Sequence, residues 1–426
     1  MQILDQITPQ LYAIIKRDRR LKNLVMPIWQ FLSKVAVWIR SLSNRSKFLP
    51  PPSGICQSVQ DWVNTYPTST NQKPASYQVI YPSHTVTRVL PKTIDASIHW
   101  KFRINQQRQL PDAFVAIIPN GRVWGDGNVI TPDNQLLAEV SKVIGKGEYI
   151  ADSANHPIFS QEKLPPVQKI SGSVAVLSSA GGTGYYHWLF DILPRLALLQ
   201  KPEIAFEEID KFLVNRYISR FQIETLNTLG IPRSKIIENH WNPHIEAEQL
   251  VVPALVGETS HMPKWACDFL RDNFFGDKTK QNKQTLRLYL NRTQVVHRKV
   301  ENESEIIEFL SDLGFRNISL ETLSVAEQIE LMAAAEVVVA PHGAGLSNIV
   351  FCQPGTKIIE LLSPKAVNFM YWSLSNQVGL DYYYLLGEGE VPPEPIDPYA
   401  NNDNILINLN LLFRVLELAE IRGARK

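Results

Sequence analysis

An α/β fold built on a doubly wound parallel sheet is what this sequence predicts, and three observations predict it. Between residues 285 and 386, short β-branched or aromatic runs alternate with helical patterns at short spacing, the signature of strand–helix–strand units. One of these runs, "VVVAPHGAGLSNIVF" from Val337 to Phe351, passes from a buried strand into a helix through two glycines. The chain also holds 426 residues, which predicts two or three domains.

The elements of the clearest segment follow in order. "LRLYLNR" reads as a strand. Asn302 with Glu305 offers an N-cap and its partner three residues on, and Gly314 ends the helix. "NISL" is a short strand. Ser324 with Glu327 forms a second capping box before a helix to about Ala335. Val337–Ala340 is a strand, 344–350 a short helix, "KIIELL" a strand, 367–377 a helix and "DYYYLL" the last strand. "NILINLNLLFRVLELAEIRG" has the apolar spacing of an amphipathic helix. Upstream, "SVAVLSS", "FLVN" at 212–215 and "QLVVPAL" at 249–255 read as buried strands of another α/β layer. Residues 78–150 alternate apolar and polar positions. Their breaks at Asn120-Gly121 and Pro132-Asp133-Asn134 predict a β-rich subdomain of hairpins.

Hydrophobic residues make up 44%, enough for globular cores, and the formal net charge is +1. No basic stripe marks a nucleic-acid binder. Three widely spaced cysteines, Cys56, Cys267 and Cys352, argue against a disulfide framework and fit a reducing compartment. CxxC and HExxH are absent, which argues against a dedicated zinc site. His240 and His244, with Pro243 between them, read as surface loop histidines. Lys16 to Lys22 is a basic cluster, followed by the apolar stretch Leu24–Ile39. That stretch falls short of the ~20 residues a spanning helix needs. Residues 16–39 therefore read either as a basic amphipathic helix on an anionic membrane or as a helix packed on the body. "SKFLPPPSG" reads as an extended linker.

Two constellations carry chemistry. At His342-Gly343-Ala344-Gly345 a strand turns into a helix whose first amides lack partners. The glycines clear the approach, and the helix end carries partial positive charge; this suits a phosphate. It is neither a dinucleotide fingerprint, since Asn348 stands where the third glycine belongs, nor a P-loop. Arg292 and His342-Gly343 follow two predicted strands, and Glu360 lies near the end of a third. Ligands of open α/β sheets bind at that edge. Arg292 and Arg298 could grip a diphosphate, or they could salt-bridge to Glu301, Glu303 and Glu305. The second constellation is "GGTGYYHWLFDILPRL". If helical, it puts His187, Asp191 and Arg195 on one face at four-residue steps. The row serves either as an acid–base pair or as a partly buried polar network, and Pro194 marks a kink or a helix start.

"YYHWLFDILPRL", "LYLNRTQVVHRKVENESEI" and "VVVAPHGAGLSNIVFCQPGTKIIELL" together resemble the signature blocks of glycosyltransferase family 61, in order and spacing. The likeness covers roughly 110–390, and the upstream part is similar to bacterial capsular polysaccharide biosynthesis proteins. The resemblance implies a GT-B architecture: two Rossmann-like doubly wound domains facing a cleft, here with the β-rich N-terminal subdomain. It divides the chain into an N-terminal segment and linker (1–50), the β-rich subdomain (51–165), an acceptor domain (166–280), a nucleotide-sugar domain (281–400) and a terminal helix (401–426). It implies inverting, metal-independent transfer of a hexosyl or pentosyl group from a nucleotide sugar, often a UDP sugar, to a glycan or lipid-linked glycan hydroxyl. No cofactor and no metal are expected, and no Asp-x-Asp occurs. Arg292 and Arg298 match the family's arginines before its Asn-Glu element, here Asn302-Glu303. His342, Gly343, Ala344, Gly345, Leu346 and Asn348 match its His-Gly-Ala-Gly-Leu turn and nearby Asn, with Ser347 where Thr is common. Glu360 matches its acidic residue, expected to hold the ribose or brace the turn. His187 and Asp191 match its His-Trp-x-x-Asp block. Asp191 is the expected base, with His187 as helper or as the base itself. The expected setting is cytoplasmic, at the inner face of a membrane. An NAD-dependent epimerase would need a full dinucleotide fingerprint; a non-catalytic scaffold of polysaccharide assembly would keep the fold without the chemistry.

Overall fold

The computed structural model describes residues 48–67, 74–145, 148–150, 155–202, 204–275, 285–293, 297–398, 400 and 402–421. The basic and amphipathic stretch 16–39 lies outside them. The chain forms two compact units: residues up to Ser83 with Pro111–Glu258, and His84–Leu110 with Thr259 onward.

The first unit holds one ten-stranded sheet. Its strands are β1 (Gly54–Cys56), β2 (Ser76–Tyr81), β3 (Ala113–Pro119), β4 (Arg122–Trp124), β5 (Asn128–Ile130), β6 (Gln135–Leu137), β7 (Gln168–Val176), β8 (Lys211–Val214), β9 (Ile236–Glu238) and β10 (His244–Pro253). The order is β1-β6-β5-β4-β10-β7-β8-β9, with β3 also on β10 and β2 on β3. β10, β7, β8 and β9 run parallel. Their apolar runs, such as Val174–Val176 and Leu250–Val252, are buried as strands covered on both faces require. β10 is ten residues long. It pairs Gln249–Pro253 with β3 and His244–Glu246 with β4, both antiparallel. Asn120, at φ 53°, makes the predicted bend between β3 and β4.

The hairpins expected as a separate subdomain at 51–165 are thus hydrogen-bonded into the sheet of the next segment. The pairing is non-local, and local turn chemistry does not announce it. The expected linker is also tied down, since Leu49 exchanges backbone hydrogen bonds with Leu164 at 3.3 and 2.8 Å. Helices α1 (Val59–Thr65), α2 (Arg195–Leu199) and α3 (Arg220–Thr228) also belong to this unit. Ser219 and Gln222 box the start of α3.

The second unit carries β11 (Leu286–Leu290), β12 (Phe315–Ile318), β13 (Ala335–Pro341), β14 (Lys357–Leu362) and β15 (Asp381–Leu386). They form one sheet in which every pairing is parallel, in the order β12-β11-β13-β14-β15. Around the sheet lie α4 (Lys264–Phe274), α5 (Glu303–Asp312), α6 (Val325–Ala333), α7 (Met370–Val378) and α8 (Leu409–Leu418). The predicted Ser324–Glu327 box opens α6. Asn302 precedes α5 but makes no side-chain cap. Its amide instead spans the backbone of Ile407, donating to the carbonyl at 2.8 Å and accepting the N–H at 3.1 Å. α8 packs Leu412, Val415 and Leu416 into a core shared with Val337, Val339, Ile359 and Leu361.

Residues 84–110 belong to this unit. Lys92 bridges Tyr383 on the edge strand β15. The Trp372 indole donates to the Val89 carbonyl at 2.7 Å, and the His99 N–H to the Tyr384 hydroxyl at 3.0 Å. Among the described residues no helix is long and apolar enough to cross a membrane.

Candidate functional site

The strand order of the second unit reverses between β11 and β13. The chain leaves β11 for β12 on one side, then returns across to β13 on the other. Such a switch point opens a crevice beyond the strand ends. β11 delivers Arg292 to it, and β13 delivers His342 and Gly343.

Arg292 is held from several sides. Its backbone N–H donates to Glu303 Oε1 at 2.8 Å, an oxygen that also accepts the Tyr289 hydroxyl at 3.1 Å. Its Nη2 donates to the His297 carbonyl at 3.2 Å. The guanidinium lies on Gly343, where a Cβ would come within 1.6 Å of Nη1. Gly343 is bare because an arginine occupies the place of its side chain; its φ of 172° is ordinary extended backbone.

Arg298 lies close enough to act on Arg292. Burial first, and then the charge of Arg298, lower the pKa of Arg292 below the usual arginine range. The Nε atoms of both arginines are buried without a hydrogen-bond partner among the described residues. The alternative of salt bridges to Glu301, Glu303 and Glu305 is not what forms, since no ion pair to either guanidinium occurs among the described residues. Two like charges that leave donors unmet favour an anion between them.

Behind the turn stands a buried relay. Glu360, 0% exposed, takes His342 Nδ1 at 2.5 Å on Oε1 and the Tyr382 hydroxyl on Oε2. Each oxygen takes one donor and the side chain is wholly buried, so Glu360 stands behind the turn and braces His342. The Tyr371 ring packs 5.3 Å from His342. Ala344 opens the short helix at the surface. Leu346 is core at 1% exposure. Asn348 is also internal, with its amide donating to Gln328 Oε1 at 2.9 Å and to the Gly345 carbonyl at 3.1 Å. These two shape the turn from inside. Tyr382 and Tyr371 escaped the sequence reading of the site, and Glu303 entered it only as an ion-pair candidate and as part of the Asn302-Glu303 element, not as the acceptor of the Arg292 backbone N–H.

In the first unit, Tyr185–His187 begins as a helical turn and continues as a π-helix over Trp188–Ile192. His187 Nδ1 and Asp191 Oδ2 are 2.6 Å apart. The His187 side chain is 24% exposed and that of Asp191 only 7%, so the ring is the group that meets solvent. Arg195, expected in the same row, is buried and serves the backbone. It donates to the carbonyls of Ser178 at 3.2 Å and Pro253 at 2.5 Å. The wider π turn and Pro194 at the start of α2 break the four-residue row.

Of the histidines read as surface loop residues, His240 does lie in a turn, but His244 does not lie in a loop. His244 begins β10, is 1% exposed, and donates from Nδ1 to the Pro165 carbonyl at 2.8 Å. Burial pushes its pKa down to about 4. His240 is half-buried and also pushed down to about 4.

Fold and site together define an α/β protein with a basic, glycine-cleared switch point and a histidine–carboxylate pair. The profile of the Glycosyltransferase 61 family matches residues 185–359. The chain is 25% identical over 145 residues to Beta-1,2-xylosyltransferase RCN11 of Oryza sativa subsp. japonica, covering 30% of this chain and 27% of that protein. The chain therefore spans well under a third of the curated relative. These likenesses support a glycosyltransferase activity, and the matched stretch contains every candidate residue except Glu360, which lies one residue beyond it.

Proposed function

We propose that the chain is an inverting, metal-independent glycosyltransferase of GT-B type that moves a sugar from a nucleotide-sugar donor, a UDP sugar by preference, to a glycan hydroxyl in capsular or other surface polysaccharide synthesis. The observation that carries this reading is the pair of guanidiniums with unmet donors at the switch point, one of them seated on Gly343. The like-charge pair and the adjoining helix start favour a diphosphate. The setting rests on the resemblance of the upstream part, and contact with a membrane through residues 16–39 on their basic charge.

In the proposed reaction an acceptor oxygen attacks the anomeric carbon. A carbon–oxygen bond forms there as the bond to the diphosphate breaks, with inversion. The bonding electrons leave on the diphosphate, where Arg292 and Arg298 meet the developing charge. The hydroxyl proton goes to His187 Nε2. Asp191 accepts the Nδ1–H, fixes the tautomer and stabilises the imidazolium. Of the two roles left open within the pair, the greater exposure of the imidazole supports His187 as the base.

Thermal unfolding with UDP, GDP and dTDP tests the reading. One of the three should raise Tm, and Arg292→Ala should abolish the shift. Silence from all three overturns it in favour of a scaffold. A donor-sugar hydrolysis screen then identifies the sugar.

A further inference from the structure

A cleft of about 620 Å³ opens in the first unit, between the hairpin Trp124–Asn128 and the glycine loop that precedes His187. Asp126 stands at the tip of that hairpin, between Gly125 at φ 58° and Gly127 at φ 96°. Its Oδ1 accepts two amide hydrogens, from Asn239 Nδ2 at 2.7 Å and Asn215 Nδ2 at 3.1 Å. The residue is exposed, but partial desolvation of its carboxyl holds it above the ordinary carboxylate range, and the two amides partly oppose this. Oδ2 makes no hydrogen bond among the described residues. Arg216 and Lys142 line the same cleft, but no ion pair joins either to Asp126.

The surroundings are built around this carboxylate. Asn215, just past β8, is fixed by the Ser179 N–H at 3.0 Å and the Ser179 carbonyl at 2.9 Å. Gly182 of the glycine loop is bare because a Cβ there would lie 2.1 Å from Asn215 Oδ1. Three chain segments thus fix one exposed carboxylate, with Oδ1 taken by the two amides and Oδ2 left open towards the cleft among the described residues. A carboxylate oxygen can only accept hydrogen bonds. With no ion pair on it among the described residues, a hydroxyl is a fitting complement, and Trp124 on the same wall adds apolar surface. Ligand sites combine such surface with a few fixed polar groups.

We propose that this cleft is a saccharide subsite in which Asp126 Oδ2 accepts a hydrogen bond from a sugar hydroxyl, the sugar belonging to the acceptor. Only the word acceptor rests on the transferase reading; saccharide binding does not.

Saturation-transfer NMR on the full chain tests it, with methyl β-xylopyranoside, methyl β-galactopyranoside and methyl N-acetyl-β-glucosaminide as probes. At least one should give a signal. Asp126→Asn should weaken its binding about tenfold, as loss of a hydrogen bond to a charged group does. Thr183→Trp, on the exposed rim, should block the cleft without touching a buried contact, and it decides the matter if Asp126→Asn fails to fold. Absence of signal from every glycoside, or a signal unchanged in both folded variants, overturns the inference. The UDP thermal shift separates the two readings: glycoside binding with no nucleotide response sinks the transferase alone, and the converse sinks the saccharide cleft alone.

Discussion

Gly343→Ala probes the diphosphate site through a single methyl group. That methyl would lie 1.6 Å from Nη1 and 2.8 Å from Cζ of Arg292, where carbon contacts settle at about 3.5–4.0 Å. The backbone tolerates alanine, because φ 172° is extended. The far end of a flexible arginine is what yields, so Tm should change little while the guanidinium swings off the turn. Loss of one charged hydrogen-bonding partner is worth about 1.5–3 kcal/mol, or roughly 10- to 150-fold in the Kd for the nucleotide. Calorimetric titration of UDP into the wild type, Gly343→Ala, Arg292→Ala and the double variant reads this directly. Each single change should weaken binding by a similar factor, and the double variant should be no worse than Arg292→Ala. Penalties that add in full, or wild-type affinity in Gly343→Ala, would refute the placing of Arg292 at the phosphates.

Other expectations concern the remaining groups. His187→Ala and Asp191→Asn should each cut transfer about 10²–10⁴-fold while the UDP thermal shift persists; normal turnover in either rejects the pair as base. Tyr382→Phe removes one of two donors to a fully buried Glu360 and should destabilise by about 1.5–3 kcal/mol in urea unfolding; an unchanged midpoint would dismiss the brace. Transfer should survive EDTA dialysis, assayed by nucleotide release. His244 is held near 4 against 6.5 for a free imidazole, so the unfolded chain takes up a proton that the folded chain refuses. Stability should be full above pH 6.5 and decline as pH falls towards 4, and His244→Phe should flatten the decline seen by calorimetry.

The parallel sheet of the second unit could be read from sequence because its information is local. Buried strands such as Val337–Ala340 are short apolar runs, and Ser324 with Glu327 caps its helix within four residues. The switch-point residues were legible for the same reason, since each sits at a strand end. Long-range pairing was not. Nothing in Ala113–Pro119 signals that its partners are Gln249–Pro253. The cap expected of Asn302 was taken by Ile407, a residue 105 positions away. Asp126 was hidden in what reads as a plain hairpin tip, because its meaning comes from Asn215 and Asn239, on other strands' ends.

The excursion of residues 84–110 into the second unit bears on how the chain is made. His99 must wait for Tyr384, synthesised 285 residues later, and Val89 for Trp372, 283 residues later. During translation, which runs at about 5–20 residues per second and lets domains mature from the N-terminus, that segment has no finished partner until almost the whole polypeptide has left the ribosome. Cutting the gene at residue 259 would yield a carboxyl-terminal fragment whose β15 edge lacks the Lys92 bridge and whose Trp372 lacks its acceptor. Expression of either half by itself is therefore a poor route to a soluble fragment, and the two segments must be co-produced or fused.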